Sequence, residues 1–263
     1  MEGTFTMKRF LYNRYDRLRA WLVPGLRAFF CGVRRLPFKD VPIVINNFNR
    51  LDSLKRLIAG LESRGYRNIH IIDNASSYPP LLEYYASCPY PVYMLHRNVG
   101  HLAVWETGLY RMFTDSYFAY TDSDLEIFED CPDDFMEKFI RLLKKHPTAL
   151  KAGFSLKIDD IPDCYEHKEK VIGWESQFWK RKVAPDVYRA PIDTTFAVYK
   201  PYFKGHFITL RDFKKCYFRT APPYCVRHLP WYADSAHPTE EESYYLSHLK
   251  TVTHWSEQDK GNR

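Results

Sequence analysis

The chain has 263 residues, 45% of them hydrophobic and 27% charged, which is the balance of a soluble protein able to bury one large core. Its net charge of +6 is uneven: residues 1–39 carry nine Lys and Arg against Glu2 and Asp16, so the remainder sums to −1. A near-neutral body argues against nucleic-acid binding, and six scattered cysteines without a Cys-x-x-Cys pair argue against zinc and read as reduced thiols of a cytoplasmic protein.

Residues 1–40 read as a basic, amphipathic, helical extension. Lys8, Arg9, Arg14, Arg17 and Arg19 interleave with Phe5, Phe10, Leu11, Tyr12, Leu18 and Trp21. The apolar run Trp21–Phe30 is too short to span a bilayer, and Arg27 interrupts it. It has no small-residue cleavage site where a secretory signal would carry one. Such a segment suits the surface of an anionic membrane, which would make the protein peripheral on a cytoplasmic face. The alternative is a helix that packs on the body or on a second copy.

Residues 41–263 read as one α/β domain. Val41–Ile45 is a buried strand running into polar Asn46-Asn47-Phe48-Asn49-Arg50. Asp52 is placed to cap a helix whose inner face is Leu54, Leu57, Ile58 and Leu61, with Gly65 as its stop. A second strand, Ile69–Ile72, ends in Asp73-Asn74-Ala75-Ser76; a short helix over 81–86 follows. A third strand, Val92–Leu95, ends at His96-Arg97-Asn98-Val99-Gly100. Leu102, Trp105, Leu109, Met112 and Phe113 have helical spacing. The aromatic strand Tyr117–Tyr120 then runs into Thr121-Asp122-Ser123-Asp124. Alternating strands and helices predict a mainly parallel sheet with right-handed crossovers, whose polar carboxyl ends line one crevice. There is no Gly-x-Gly-x-x-Gly or Walker A motif, which argues against dinucleotides and P-loop use of ATP.

Two carboxylates one residue apart at the end of a buried strand offer hard oxygen ligands to Mg²⁺ or Mn²⁺. The plain alternative is that Asp122 and Asp124 cap the turn that follows. Taken together, Pro42–Arg50, Ile72–Ser76, Arg97–Gly100 and Asp122-Ser123-Asp124 resemble, in order and spacing over about residues 41–130, a nucleotide-sugar glycosyltransferase of the GT-A fold, nearest to the family 2 type.

That resemblance implies a nucleotide-sugar-binding half, residues 41–130, and an acceptor-binding half, residues 131–263. It implies that Asn47, Asn49 and Arg50 face the nucleotide and that Asp73 accepts from a uracil-type N–H, unless Asp73 merely caps its turn. Asn98 and Gly100 match the loop that lets the backbone approach the donor; His101 stands where the pattern often has an apolar residue. Ser123 lies between Asp124, a direct metal ligand, and Asp122, which holds the ribose or the metal. The metal, Mn²⁺ or Mg²⁺, neutralises the diphosphate leaving group.

In the second half, Asp133 is placed to cap a helix with Phe135, Met136, Phe139, Ile140 and Leu143 inward, and Leu150–Ile158 reads as a strand. Residues 160–190 have no clean period. They hold Trp174, Glu175, Trp179 and Tyr188 in the region where this fold meets its acceptor, so these four are the candidate acceptor contacts, with core packing as the alternative. Asp193 precedes a strand over 194–199 and enters from the acceptor side, which makes it the first choice for the general base of an inverting transfer. Glu241, with Glu240 and Glu242, is the reserve; the other role for these glutamates is the negative first turn of a helix. His228 resembles the late-strand histidine that completes the metal shell, leaning it to Mn²⁺, or touches the diphosphate, with a purely structural histidine as the alternative. His254, beside Trp255, competes for that role, and Arg227 would pair with phosphate oxygens.

The expectation is a metal-dependent, inverting transferase that moves a sugar from a nucleoside-diphosphate donor, UDP-type favoured, to a hydroxyl of a glycan or lipid-linked acceptor. A nucleotidyltransferase would need a Gly/Arg/Lys-rich phosphate loop after the first strand, and Asn46–Asn49 does not supply one. A non-catalytic glycan- or membrane-binding module of the same fold stays open.

Overall fold

The computed structural model describes residues 22–23, 25–147, 149–202 and 217–249. Most of the basic and aromatic residues of the N-terminal extension, together with His254 and Trp255, lie outside the described residues. Of the extension, the described residues 22–23 and 25–31 are helical. From there it is tied to the body: Arg34 pairs with Asp115, the Tyr202 hydroxyl donates to the Gly32 carbonyl at 2.7 Å, and Lys39 pairs with Asp133.

The first half alternates as expected: β1 (Ile43–Asn47), α1 (Asp52–Glu62), β2 (Ile69–Asp73), α2 (Pro79–Ser87), β3 (Val92–Met94), α3 (Ala103–Glu106) and β4 (Phe118–Asp122). Then come β5 (Leu125–Ile127), α4 (Phe135–Lys145), β6 (Lys151–Gly153), β7 (Ser155–Leu156), α5 (Lys168–Glu175), β8 (Lys182–Ala184), β9 (Val187–Arg189), β10 (Ala197–Tyr199), β11 (Tyr217–Thr220), β12 (Cys225–His228) and α6 (Glu240–Ser247). The main sheet runs β3-β2-β1-β4-β10-β6-β11-β9-β8, and a small sheet runs β5-β12-β7. Strands β3, β2, β1 and β4 are parallel. Strand β10 enters antiparallel between β4 and β6. The result is a mixed α/β sheet flanked by helices, in agreement with the GT-A expectation.

Period-two alternation divides the core. Ile43, Ile45, Ile69 and Ile71 turn to one face, under Leu54, Leu57 and Leu61 of α1 and Phe135, Phe139 and Leu143 of α4. Val44, Ile72, Phe118 and Tyr120 turn to the other, against Val104, Trp105 and Phe113. Sandwiched strands carry apolar side chains on both faces, which is why β1 reads as a continuous apolar run.

Three elements differ from the sequence reading. The helix expected over 102–113 is broken at Gly108, whose φ of 78° is left-handed; α3 stops and a 3-10 turn over Leu109–Met112 takes over. The strand expected over 150–158 is cut at Phe154, so β6 joins the main sheet and β7 the small one. At this cut a Cβ on Gly153 would lie 2.1 Å from the Phe196 carbonyl oxygen, so only glycine lets β10 run this close. The strand expected over 194–199 is limited to β10, because residues 190–196 arch out of regular pairing and keep only isolated backbone bonds, from Asp122 N to the Thr194 carbonyl and from Phe154 N to the Phe196 carbonyl.

Candidate active site

Strand β1 sits at the centre of the carboxyl rim. Its register sets Asn46 beside Asp122 on β4 and Asn47 beside Asp73 on β2. The two acids that the sequence places 49 positions apart therefore flank one strand end.

On the β2 side, Asp73 is fully buried; one carboxylate oxygen accepts from Ser76 N at 2.9 Å and the other has no partner among the described residues. Asn47 is buried too, accepting from Ser123 Oγ at 2.6 Å and donating to the Tyr85 hydroxyl at 2.8 Å. Asn49 accepts from Ser77 N and Tyr78 N and so ties the loop after β1 to the loop after β2. Asn98 and His101 are exposed at the rim; the Gly100 carbonyl accepts from Asn74 Nδ2 at 2.9 Å, which moors that loop to β2.

On the β4 side, the Asp122 carboxylate accepts from Asn46 Nδ2 at 3.3 Å and from the Thr194 hydroxyl, while Asp122 N donates to the Thr194 carbonyl at 3.0 Å. Asp124 faces His228, with Oδ2 and Nε2 3.5 Å apart, and its carbonyl accepts from Leu229 N. Burial and the neighbouring Asp124 charge push the Asp122 carboxyl well up. Burial works the same way on Asp124, but His228 and Arg50 outweigh it and hold that carboxyl below its usual range. Arg50 stacks on the Tyr245 ring at 3.7 Å and forms an ion pair with Glu242. The buried Tyr245 hydroxyl, beside Asp124, is pushed up to about 12.

Asp193 is exposed on the arch over the sheet end, and its charge reaches both Asp122 and Glu175. Trp174 is exposed, and Trp179 meets Tyr188 edge-on at 5.2 Å on the same flank.

Three assignments change with the structure in hand. Arg227 alternates with His228 along β12, so it turns away from the rim and spends its guanidinium on Glu129 and Asp160. Glu241 is buried, and its carboxylate accepts from Leu51 N at 2.5 Å and Asp52 N at 2.7 Å; it caps α1 from across the fold, the task expected of Asp52, and is not free to act as a base. Glu175 is buried, and its Oε1 pairs with Arg219 Nη1, so its charge is committed to the interior of the fold instead of to an acceptor.

Thr194 and Tyr245 belong to the site without standing out in the sequence, and Glu242, a reserve base there, is instead the partner of Arg50. The Asp-Thr-Thr run and the two tyrosines after the glutamates are the traces they leave in sequence. Among the described residues, buried polar atoms without a partner gather here: Asn46 Oδ1, Asn49 Nδ2, Arg50 Nε, Asp73 Oδ1, Thr195 Oγ1 and His228 Nδ1. Trp105, Thr114, Trp179, Arg189 and Trp231 also carry such atoms, but six on neighbouring strand ends make this rim the candidate surface for a polar ligand.

No three His, Cys, Asp or Glu side chains among the described residues converge to hold a metal ion. Asp124 with His228, and Asp122 nearby, nevertheless fit a divalent cation that takes the rest of its shell from substrate phosphates.

A family model described as Glycosyl transferase family 2 matches residues 43–206. No curated protein matches the chain. Among solved structures, the chain is similar to a crystal structure of S. aureus TarS 1-349, at 12% identity and a TM-score of 0.34 over 48% of this chain and 39% of that one. A crystal structure of S. aureus TarS aligns at 12% identity and a TM-score of 0.32 over 48% of this chain and 24% of that one. The match thus spans well under half the length of either TarS chain.

Proposed function

The chain belongs to glycosyl transferase family 2, and from that premise we propose that it transfers a sugar from a nucleoside-diphosphate sugar, UDP-type favoured, to a hydroxyl of a glycan or lipid-linked acceptor, with inversion. The observation that carries this reading is the gathering of unpaired buried polar atoms around Asp73 and Asp122 at one sheet rim.

Asp73 offers its unpaired oxygen to the N–H of a uracil-type base. Arg50, positive and largely buried, is the cation available to diphosphate oxygens once Glu242 yields to them. Asp124, His228 and Asp122 would hold Mn²⁺ or Mg²⁺, which supplies Lewis-acid neutralisation of the departing diphosphate. Asp193 takes the proton of the acceptor hydroxyl as its oxygen bonds to the anomeric carbon and the bond to the diphosphate breaks. Trp174, Trp179 and Tyr188 supply faces on which an acceptor sugar stacks.

No helix among the described residues is long and apolar enough to cross a membrane. Phe29 and Phe30 are 81% and 78% exposed beside Arg27, and this supports a peripheral contact with an anionic membrane surface.

Thermal shift with UDP or GDP, with and without Mn²⁺, tests the donor site. A metal-dependent rise is expected with UDP, and indifference to every nucleotide would defeat the reading. D124A should reduce released nucleotide at least ~100-fold with the fold intact. D193N should lose ~100-fold or more of transfer while binding UDP normally; undiminished transfer would hand the role of base to another residue.

A further inference from the structure

Segment 191–194 does two things at once: it carries Asp193, and through Thr194 it clasps the backbone N–H and the carboxylate of Asp122. Its own support comes from below. Lys151, the first residue of β6, is 5% exposed, and its Nζ donates to the Asp193 carbonyl and to the Tyr199 hydroxyl, both at 3.0 Å. Register sets Lys151 between Tyr199 on β10 and Tyr217 on β11, and the ammonium lies 5.1 Å from each ring. Two residues along β11, on the same face, Arg219 donates from Nε to the Pro191 carbonyl at 2.5 Å while its Nη1 pairs with Glu175.

We propose that Lys151, with Arg219 beside it, is a positioning residue of the transfer reaction: two buried hydrogen-bond donors grip alternate carbonyls of one arching segment, so that Thr194 stays on Asp122 and Asp193 faces the acceptor. The inference rests on the reading of Asp122 and Asp193 above. Three physical points support it. Burying an ammonium costs far more than burying an apolar side chain, and a methionine would fill the space between two tyrosines. Regular strand pairing stops short of the Pro191 and Asp193 carbonyls, so these two need donors from elsewhere. The two grips come from adjacent parallel strands, so they hold the segment at two points and restrain its tilt as well as its height. Of the two donors, Arg219 also balances the buried Glu175, and Lys151 is the one whose removal reports on the arch without leaving a buried charge unpaired.

The experiment uses the full chain and K151M. Hydrogen exchange of the 190–199 peptide, which needs no substrate, should quicken at least ~10-fold when the grip is lost. Transfer should fall ~10- to 100-fold, the scale of an ångström-sized misplacement of reacting groups, while UDP affinity without metal stays within about twofold. T194V made in the K151M background should cost much less than T194V alone, since both act through one segment. Unchanged exchange in 190–199, or full additivity of the two substitutions, overturns the proposal. If K151M does not fold, K151Q, which keeps a donor but no charge, is put through the same exchange measurement and the same cycle. A wild-type protein that binds no nucleotide would defeat the donor-site reading alone, because the exchange result stands independently of turnover.

Discussion

Asp122 and Asp124 lie one residue apart and are pulled in opposite directions, one carboxyl up and the other down. The difference is a matter of neighbours: Asp124 has His228 and Arg50, whereas Asp122 has Asp124. Lys151 sharpens the same point. Burial presses its ammonium down to about 7, far below its ordinary range. The folded protein therefore gives up this proton near pH 7, while the unfolded chain keeps it until about pH 10.4. Because the unfolded state binds more protons across that window, the lysine's burden on the fold is full below pH 7 and is relieved as pH rises. Urea titrations of wild type and K151M at steps from pH 7 to 10 should show the wild type gaining on the variant by roughly 1.4 kcal/mol per pH unit. Parallel pH curves would mean that the amine is not buried as the geometry has it.

At the scale of elements, α6 and α1 are joined end to end by an acid. Glu241 supplies the acceptor that α1 lacks, because the residue before Asp52 is Leu51, which has no side-chain oxygen. Glu241→Ala should lower the unfolding free energy by about 2–3 kcal/mol through two stranded N–H donors. The urea midpoint should fall with the slope unchanged. The folded fraction should keep its turnover; a stable but inactive E241A would return Glu241 to the list of bases. The seam between β6 and β10 is equally specific. Gly153→Ala drives a methyl into the Phe196 carbonyl and should cost about 3 kcal/mol, read as a lower melting temperature.

At the scale of the whole molecule, the basic extension and the donor site sit at different ends of the strands. Residues 32–40 pack beside Asp115, ahead of β4, and beside Asp133, whereas the site lies past the last residue of β4. A surface that bound lipid through Phe29 and Phe30 would leave the carboxyl rim open. Deleting residues 1–31, which spares the ties of Gly32, Arg34 and Lys39, should abolish sedimentation with anionic vesicles and leave nucleotide binding intact. Equal sedimentation of the shortened chain would count against a membrane role.

Local chemistry decided much of this protein before any folding was considered. Apolar runs of five residues ending in Asn or Asp specify buried parallel strands with polar tips, and β1, β2 and β4 lie where those runs lie. Asp73, Asp122 and Asp124 stand at the ends of such runs, where a carboxylate either caps the turn or faces a ligand, and Asp73 does cap its turn through Ser76 N. What the sequence could not carry is which residues meet across the fold. Arg227 and His228 look alike on paper as companions of phosphate, and only the pairing of β12 with β5 turns one to the rim and the other away. Glu241 looks like a base until α6 folds back on α1. Lys151 looks like the polar start of a strand until Tyr199 and Tyr217 close on either side of it. Each of these depends on contacts between residues tens to hundreds of positions apart, and a side chain's chemistry is set by the neighbours that tertiary packing delivers.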